Sequence, residues 1–204
     1  MPRSLLRGCA AAVSLAGFFY SGACMAENLE YCYDHPLSIG DWSDNATLPK
    51  FDSSLGKITD VHIRMNYTLA YNFSLKNIAD YAANTSIDIG GNLSLTLPDN
   101  TSLTIDAEGN RTVSLSPNET ASSSESINRS RSFDLSSFDG FAGSSSGETI
   151  ILPLTVSTHS STLFSGDIMT ELKSHGAASV CITYEFVPAK GAQINLSENG
   201  GEGL

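Results

Sequence analysis

The chain has 204 residues, 22 acidic against 11 basic, a formal charge of −11 and only 16% charged residues. That is enough for one domain with its own core, and its Ser, Thr, Asn and Gly content suits short strands and turns rather than disorder. The negative field repels phosphate backbones and anionic lipid heads, which argues against nucleic acid and anionic membranes as partners.

The first feature along the chain is an export signal. Arg3 and Arg7 form a positive start, residues 8–20 are an apolar run, and Cys24 and Ala26 are small residues at −3 and −1 of a cut after Ala26. Residues 1–26 are therefore predicted to be a signal peptide, too short in its apolar run to span a bilayer. A lipoprotein reading competes, because Ser21-Gly22-Ala23-Cys24 ends in a small-small-Cys pattern, although Ser21 stands where Leu is usual. No later segment is long and apolar enough for a membrane helix. Removal of the signal leaves nine basic residues against 22 acidic ones, a charge of −13. It also leaves two cysteines, Cys32 and Cys181, which in an oxidising compartment read as one disulfide.

Residues 27–47 are predicted to be an N-terminal arm. Pro36, Gly40, Asp44-Asn45 and Pro49 punctuate residues 27–50 too often for a long element, so the arm reads as irregular. Phe51 to Gly56 reads as a compact turn that opens the domain proper, residues 48–187. Apolar side chains then occupy every odd position from Val61 to Leu75, a half-buried strand so long that a bend or sheet switch is expected near residues 66–70. Leu93, Leu95 and Leu97, then Leu103 and Ile105, then Val113 and Leu115 predict a meander with turns at Pro98-Asp99-Asn100 and at residues 106–110. The acidic turn at Asp106 and Glu108 offers oxygens to Ca²⁺, but a plain hairpin explains it equally. Residues 116–132 carry almost no apolar side chains and read as a long loop. Strands return at 150–156 and 180–186. Residues 163–174 are ambiguous, since Ile168 and Leu172 also fit helical spacing. Residues 188–204 are a polar, Gly-bearing tail. The pattern predicts an all-β fold, an antiparallel β-sandwich with no long helix.

The phrase Phe51-Asp52-Ser53-Ser54-Leu55-Gly56, the strand Ile150-Ile151-Leu152-Pro153-Leu154 and the closing Val180-Cys181-Ile182-Thr183-Tyr184-Glu185-Phe186 resemble bacterial choice-of-anchor E domains over about residues 48–187. The resemblance implies an exported β-sandwich module without a known activity, often joined to a C-terminal sorting signal. The tail here carries no Pro-Glu-Pro, apolar span or Arg cluster, so the resemblance does not extend to that signal.

Candidate chemistry is sparse. Gly143-Ser144-Ser145-Ser146-Gly147 matches a nucleophile-elbow pattern, with Asp167 and His175 following, but a strand rather than a helix comes next. His35, His62, His159 and His175 lack metal-ligand spacing, and the cysteines are committed to a bridge, so neither a metal nor a cofactor is expected. Trp42, Tyr31 and Tyr33 suggest a platform for sugar rings, although cover for an open end of the core explains them as well. The sequence therefore points to a secreted or cell-surface, non-catalytic module with an extracellular polymer or protein as partner. A carbohydrate-binding module is the alternative, and a serine hydrolase with Ser145 as nucleophile is a distant third.

Overall fold

The computed structural model describes residues 26–189, so the export signal, the Cys24 lipidation reading and residues 190–204 of the tail lie outside the described residues. The fold is all-β. Its ten strands are β1 (Glu27–Ile39), β2 (Trp42–Pro49), β3 (Phe51–Asp52), β4 (Gly56–Asn77), β5 (Ala83–Thr96), β6 (Ser102–Leu115), β7 (Thr120–Asp134), β8 (Ala142–Gly143), β9 (Thr149–Ser165) and β10 (Ile168–Pro188). Two four-stranded sheets have the orders β1-β10-β4-β7 and β2-β9-β5-β6, and every pairing within them is antiparallel. The short β3 and β8 pair in parallel beside them.

The order has a simple origin. Numbering only the eight long strands, the first pairs with the last, the second with the seventh, the third with the sixth and the fourth with the fifth. A single long hairpin wrapped around itself produces that pattern, which is the jelly-roll form of the β-sandwich.

Alternation places the core. Val61, Ile63, Met65, Tyr67, Leu69, Tyr71, Phe73 and Leu75 of β4 are all buried, facing Leu93, Leu95, Leu152, Leu154 and Val156 of the other sheet within one cluster. Strand β4 stays in one sheet throughout its 22 residues, paired with β10 on one side and β7 on the other, so no sheet switch occurs at residues 66–70. Its partner β10 is nearly as long, at 21 residues, which lets a strand of about 70 Å run unbroken. Tyr67 carries its hydroxyl into the interior with no partner among the described residues, and burial pushes its pKa up to about 12. Gly91 makes room for it, since a Cβ there would lie 2.5 Å from the hydroxyl.

Three expectations are corrected. Residues 27–50 are not an irregular arm but β1 and β2, one in each sheet. Their punctuating residues fall where edge strands tolerate them: Pro36 in the register irregularity between His35 and Ser38, Gly40 at φ 66° in the corner between the strands, and Pro49 at a strand end. Residues 116–132 are mostly β7, with only the Ser116–Glu119 turn before it. As the outer strand of its sheet β7 needs few apolar contacts, and Ala121, Ile127 and Phe133 supply them. Residues 106–110 are not a turn but the middle of β6, where Asp106 pairs with Asn92 and Glu108 with Gly90. No loop gathers their carboxylates. Gly109 is needed for close approach instead, a Cβ there falling 2.6 Å from Ile127 Cδ1. The ambiguous residues 163–174 are strand as well.

Candidate functional site

Strands β1 and β2 are the outer strands of their sheets on the same side of the sandwich, joined by the corner Gly40-Asp41. Tyr33 and His35 stand opposite the buried Val180 and Ala178, and Trp42 and Asp44 opposite the buried Val156 and Leu154. All four therefore turn toward the space between the sheets. There the Tyr33 hydroxyl donates to Asp44, His35 Nδ1 lies 2.8 Å from the same carboxylate, and the His35 ring stacks on Trp42 at 3.7 Å. The Trp42 indole N–H donates to the Gly176 carbonyl at 3.0 Å. This cluster closes the side of the sandwich along half its length.

The hydrogen bond from Tyr33, with those from the Asn45 backbone N–H and His35, holds the Asp44 carboxyl down at about 2, and the Asp44 acceptor in turn raises Tyr33 to about 12. A carboxyl depressed below its unfolded value of about 3.9 adds stability at pH above that value, and the contribution is lost as pH falls toward 2. Melting temperature followed from pH 5 to pH 2 should therefore fall more steeply for the native chain than for Asp44→Asn. Parallel curves would show that the cluster carries no acid-sensitive stability.

The disulfide lies nearby on the outer face. Cys32 and Cys181 are direct register partners, with Cα atoms 4.0 Å apart and 149 residues between them in sequence. Since Val180 and Ile182 face the core, Cys181 points outward, and the bridge clips β1 to β10 without crossing the interior. Arg64 covers it, reaching Glu30 at 3.0 Å and Cys181 Sγ at 3.7 Å. Glu30 is close enough to the two sulfurs to complete a trio of ligand atoms, but in the bridged form neither sulfur is a free thiolate. Such a bond belongs to an oxidising compartment.

Beyond the corner the side is open. Strand β1 pairs with β10 only as far as His175, and β2 pairs with β9 only from Val156 back to Thr149. The corner caps the first exposed group on each edge, Gly40 N–H donating to the Ser174 carbonyl at 2.9 Å and Asp41 accepting from Thr158 N–H at 2.6 Å. Past those bonds, residues 168–174 of β10 and 159–165 of β9 have a strand neighbour on one side only. Leu163 (75% exposed), Met169 (61%) and the half-exposed Phe164 lie on these edges, and Ile39 (65%) stands at the corner beside them. The neighbouring outer face holds a shallow depression of about 480 Å³ lined by Asn72, Ser74, Ser122, Ser124, Glu171 and Lys173.

The residues singled out in the sequence are thus dispersed among different duties. Tyr31 meets Tyr184 edge-on at 6.2 Å, Tyr33 is tied to Asp44, and Trp42 lies under His35. Ser145 donates to Glu148 beside the start of β9, whereas Asp167 lies beyond the other end of that 17-residue strand, about 50 Å away along it. His175 sits midway on β10. His35 and Asp44 escaped the sequence reading because their meeting depends on the reversal at Gly40. Their only sequence trace is near-symmetric placement about that glycine.

No family model matches the chain, and no curated protein does. Among solved structures, a chain from infectious bursal disease virus strain Gx is 10% identical over 79% of this chain and 41% of its own, with a TM-score of 0.19. The VP2 subviral particle of the same virus is 11% identical over 90% of this chain and 48% of its own, with a TM-score of 0.12. The chain thus spans less than half the length of these viral chains.

Proposed function

We propose that the protein is an exported, non-catalytic interaction module of the cell surface or extracellular space, and that it docks through the open side of its sandwich. The observation that carries this reading is the pair of half-free strand edges on β9 and β10, flanked by Leu163, Phe164 and Met169. An unpaired edge offers N–H and C=O groups to an extended segment, and side chains beside it supply selectivity. The disulfide supports an oxidising location, and the signal-like residues 1–26 support export to reach it. The resemblance to choice-of-anchor E modules agrees with a non-catalytic role. Its turn phrase leads into β4, and its closing phrase is the half of β10 that β1 covers. A sugar platform needs free aromatic faces, and the engagement of Trp42, Tyr31 and Tyr33 with His35, Tyr184 and Asp44 favours the edges instead.

A photocrosslinking residue at Leu163, compared with one at Thr104 on the opposite side of the sheet, tests this in the exported protein. A discrete adduct from position 163 alone is the expected result. Equal or absent adducts at both positions would remove the docking role, and an exported protein whose mass does not begin at Glu27 would revise the signal cut.

A further inference from the structure

We infer that the open side receives residues 191–197 of a second copy of this chain, added as an antiparallel strand to the free edge of β9, so that molecules join head to tail. The inference rests on the docking reading above and names its occupant.

Residues 191–197 read Gly-Ala-Gln-Ile-Asn-Leu-Ser, with Ala192, Ile194 and Leu196 alternating with polar neighbours. That is the period of a strand with one covered face. The segment follows Pro188, the end of β10, whereas the open side lies at the other end of that strand. Its nearer limit, level with Ser174, is about 45 Å along β10 from Pro188, and Gly191 reaches only about 10 Å past Pro188. A chain therefore cannot bring this segment to its own edge, but a second copy can.

Asp41 fixes both the polarity and the limit of the edge. Because it accepts from Thr158 N–H, Thr158 directs its backbone groups away from β5, and by alternation so do Ser160, Thr162 and Phe164. Residues 159–165 are left free, seven positions for seven residues. Antiparallel pairing of Ile194 with Thr162 sets Ala192 opposite Phe164 and Leu196 opposite Ser160. Ser197 then ends opposite His159, so the segment stops short of the Gly40-Asp41 corner and displaces none of its bonds. It continues the line of β2, which leaves β9 at Val156. Exposed N–H and C=O groups are thereby paired by main-chain addition.

Side chains select this register. The even positions of β9 share the parity of the buried Val156, so Ala192, Ile194 and Leu196 enter the space between the sheets, beside the partly buried Ile168 and Leu172. Small meets large at each pair, Ala192 at Phe164 and Leu196 at Ser160. A slip of one residue would turn Gln193 and Asn195 inward. A slip of two either drives Leu196 onto Thr158, already held by Asp41, or sets Ile194 against Phe164 and pushes Ala192 past the end of β9. Lys190 arrives at the Gly166-Asp167 connection, where its charge meets that of Asp167. With donor and acceptor at opposite ends of the molecule, the contact is heterologous and builds open chains rather than closed pairs.

The test is sedimentation of the exported, disulfide-bonded chain over a concentration series, in which a concentration-dependent ladder of oligomers is expected. Ile194→Pro removes a ladder N–H from the donated strand and should leave a monomer. Thr162→Pro removes the matching N–H from the receiving edge and should do the same, near-ultraviolet circular dichroism confirming that it is folded. Mixed, the two variants should form one-to-one pairs and nothing longer, because each keeps the half that the other lacks. Should Thr162→Pro fail to fold, the photocrosslinker at Leu163 tests the receiving edge instead, its adduct being a second copy attached near Gln193. A monomer at every concentration overturns the inference, and so do oligomers indifferent to Ile194→Pro or two folded variants that stay monomeric on mixing. If the chain is monomeric but position 163 still gives a discrete adduct to another molecule, strand donation fails while the docking reading survives. If neither occurs, both fail.

Discussion

Reduction of Cys32–Cys181 is expected to lower the melting temperature by roughly 10–20 °C. The bond closes a loop of 149 residues, and on the chain-entropy model that restriction of the unfolded chain stabilises the native state by about 5 kcal/mol. The gain shrinks if the reduced unfolded chain keeps β1 near β10. In the native state β1 is also held by its ladder to β10 and by Tyr31 and Tyr33 packing on the core, so the sandwich should still form without the bond. The appropriate variant is the double Cys32→Ser, Cys181→Ser chain, which leaves no stray thiol. Thermal unfolding of it, and of the native chain with and without reductant, should give two low values and one high one. Coincident curves would show that ladder and packing alone fix β1.

A second consequence is local. Loosening β1 uncovers residues 176–186 of β10, so the reduced chain should also expose a much longer edge and associate less selectively.

The parts of this fold that were legible in the sequence are those covered on the inner face. Residues 61–75, 150–156 and 180–186 alternate cleanly because each inner position meets the opposite sheet while the outer positions, the bridged Cys181 excepted, keep some contact with water. Strand β7 and the last half of β9 lacked that contrast for one physical reason: their inner positions are only partly covered, so Ser and Thr suffice where Leu would otherwise stand. Thr158, Ser160 and Thr162 share the parity of the buried Val156, yet none is fully buried, because β2 has already ended. The weak patterning that obscured the strand is the same feature that marks the open side. The bridge was legible because two cysteines remained and Cys181 fell between core positions. That the N-terminal stretch it clips beside β10 is itself a full strand was not, since the ladder joins residues nearly 150 positions apart. Jelly-roll order stayed hidden for the same reason, as local periodicity names strands and not their neighbours.

Tyr184→Ala should be among the most damaging single changes in the core, costing about 3–5 kcal/mol. Its ring is fully buried on β10, with Tyr31 edge-on at 6.2 Å and Phe51 tilted at 5.9 Å. The three come from β10, β1 and β3, so truncation removes apolar contacts shared by the covering strand, the central strand and the small parallel pair in one step. The hydroxyl adds a separate contribution, donating to the Pro49 carbonyl at 3.0 Å at the end of β2. Burial raises the phenol's pKa above its ordinary value, so the hydroxyl is a donor at neutral pH. Tyr184→Phe keeps the ring and loses only that bond, which is worth about 1 kcal/mol. Urea unfolding of the two variants should therefore rank Ala far below Phe, with Phe slightly below the native chain. An Ala variant within about 1 kcal/mol of Phe would mean that neighbouring side chains collapse into the space, and that the junction of β1, β3 and β10 is plastic rather than close-packed.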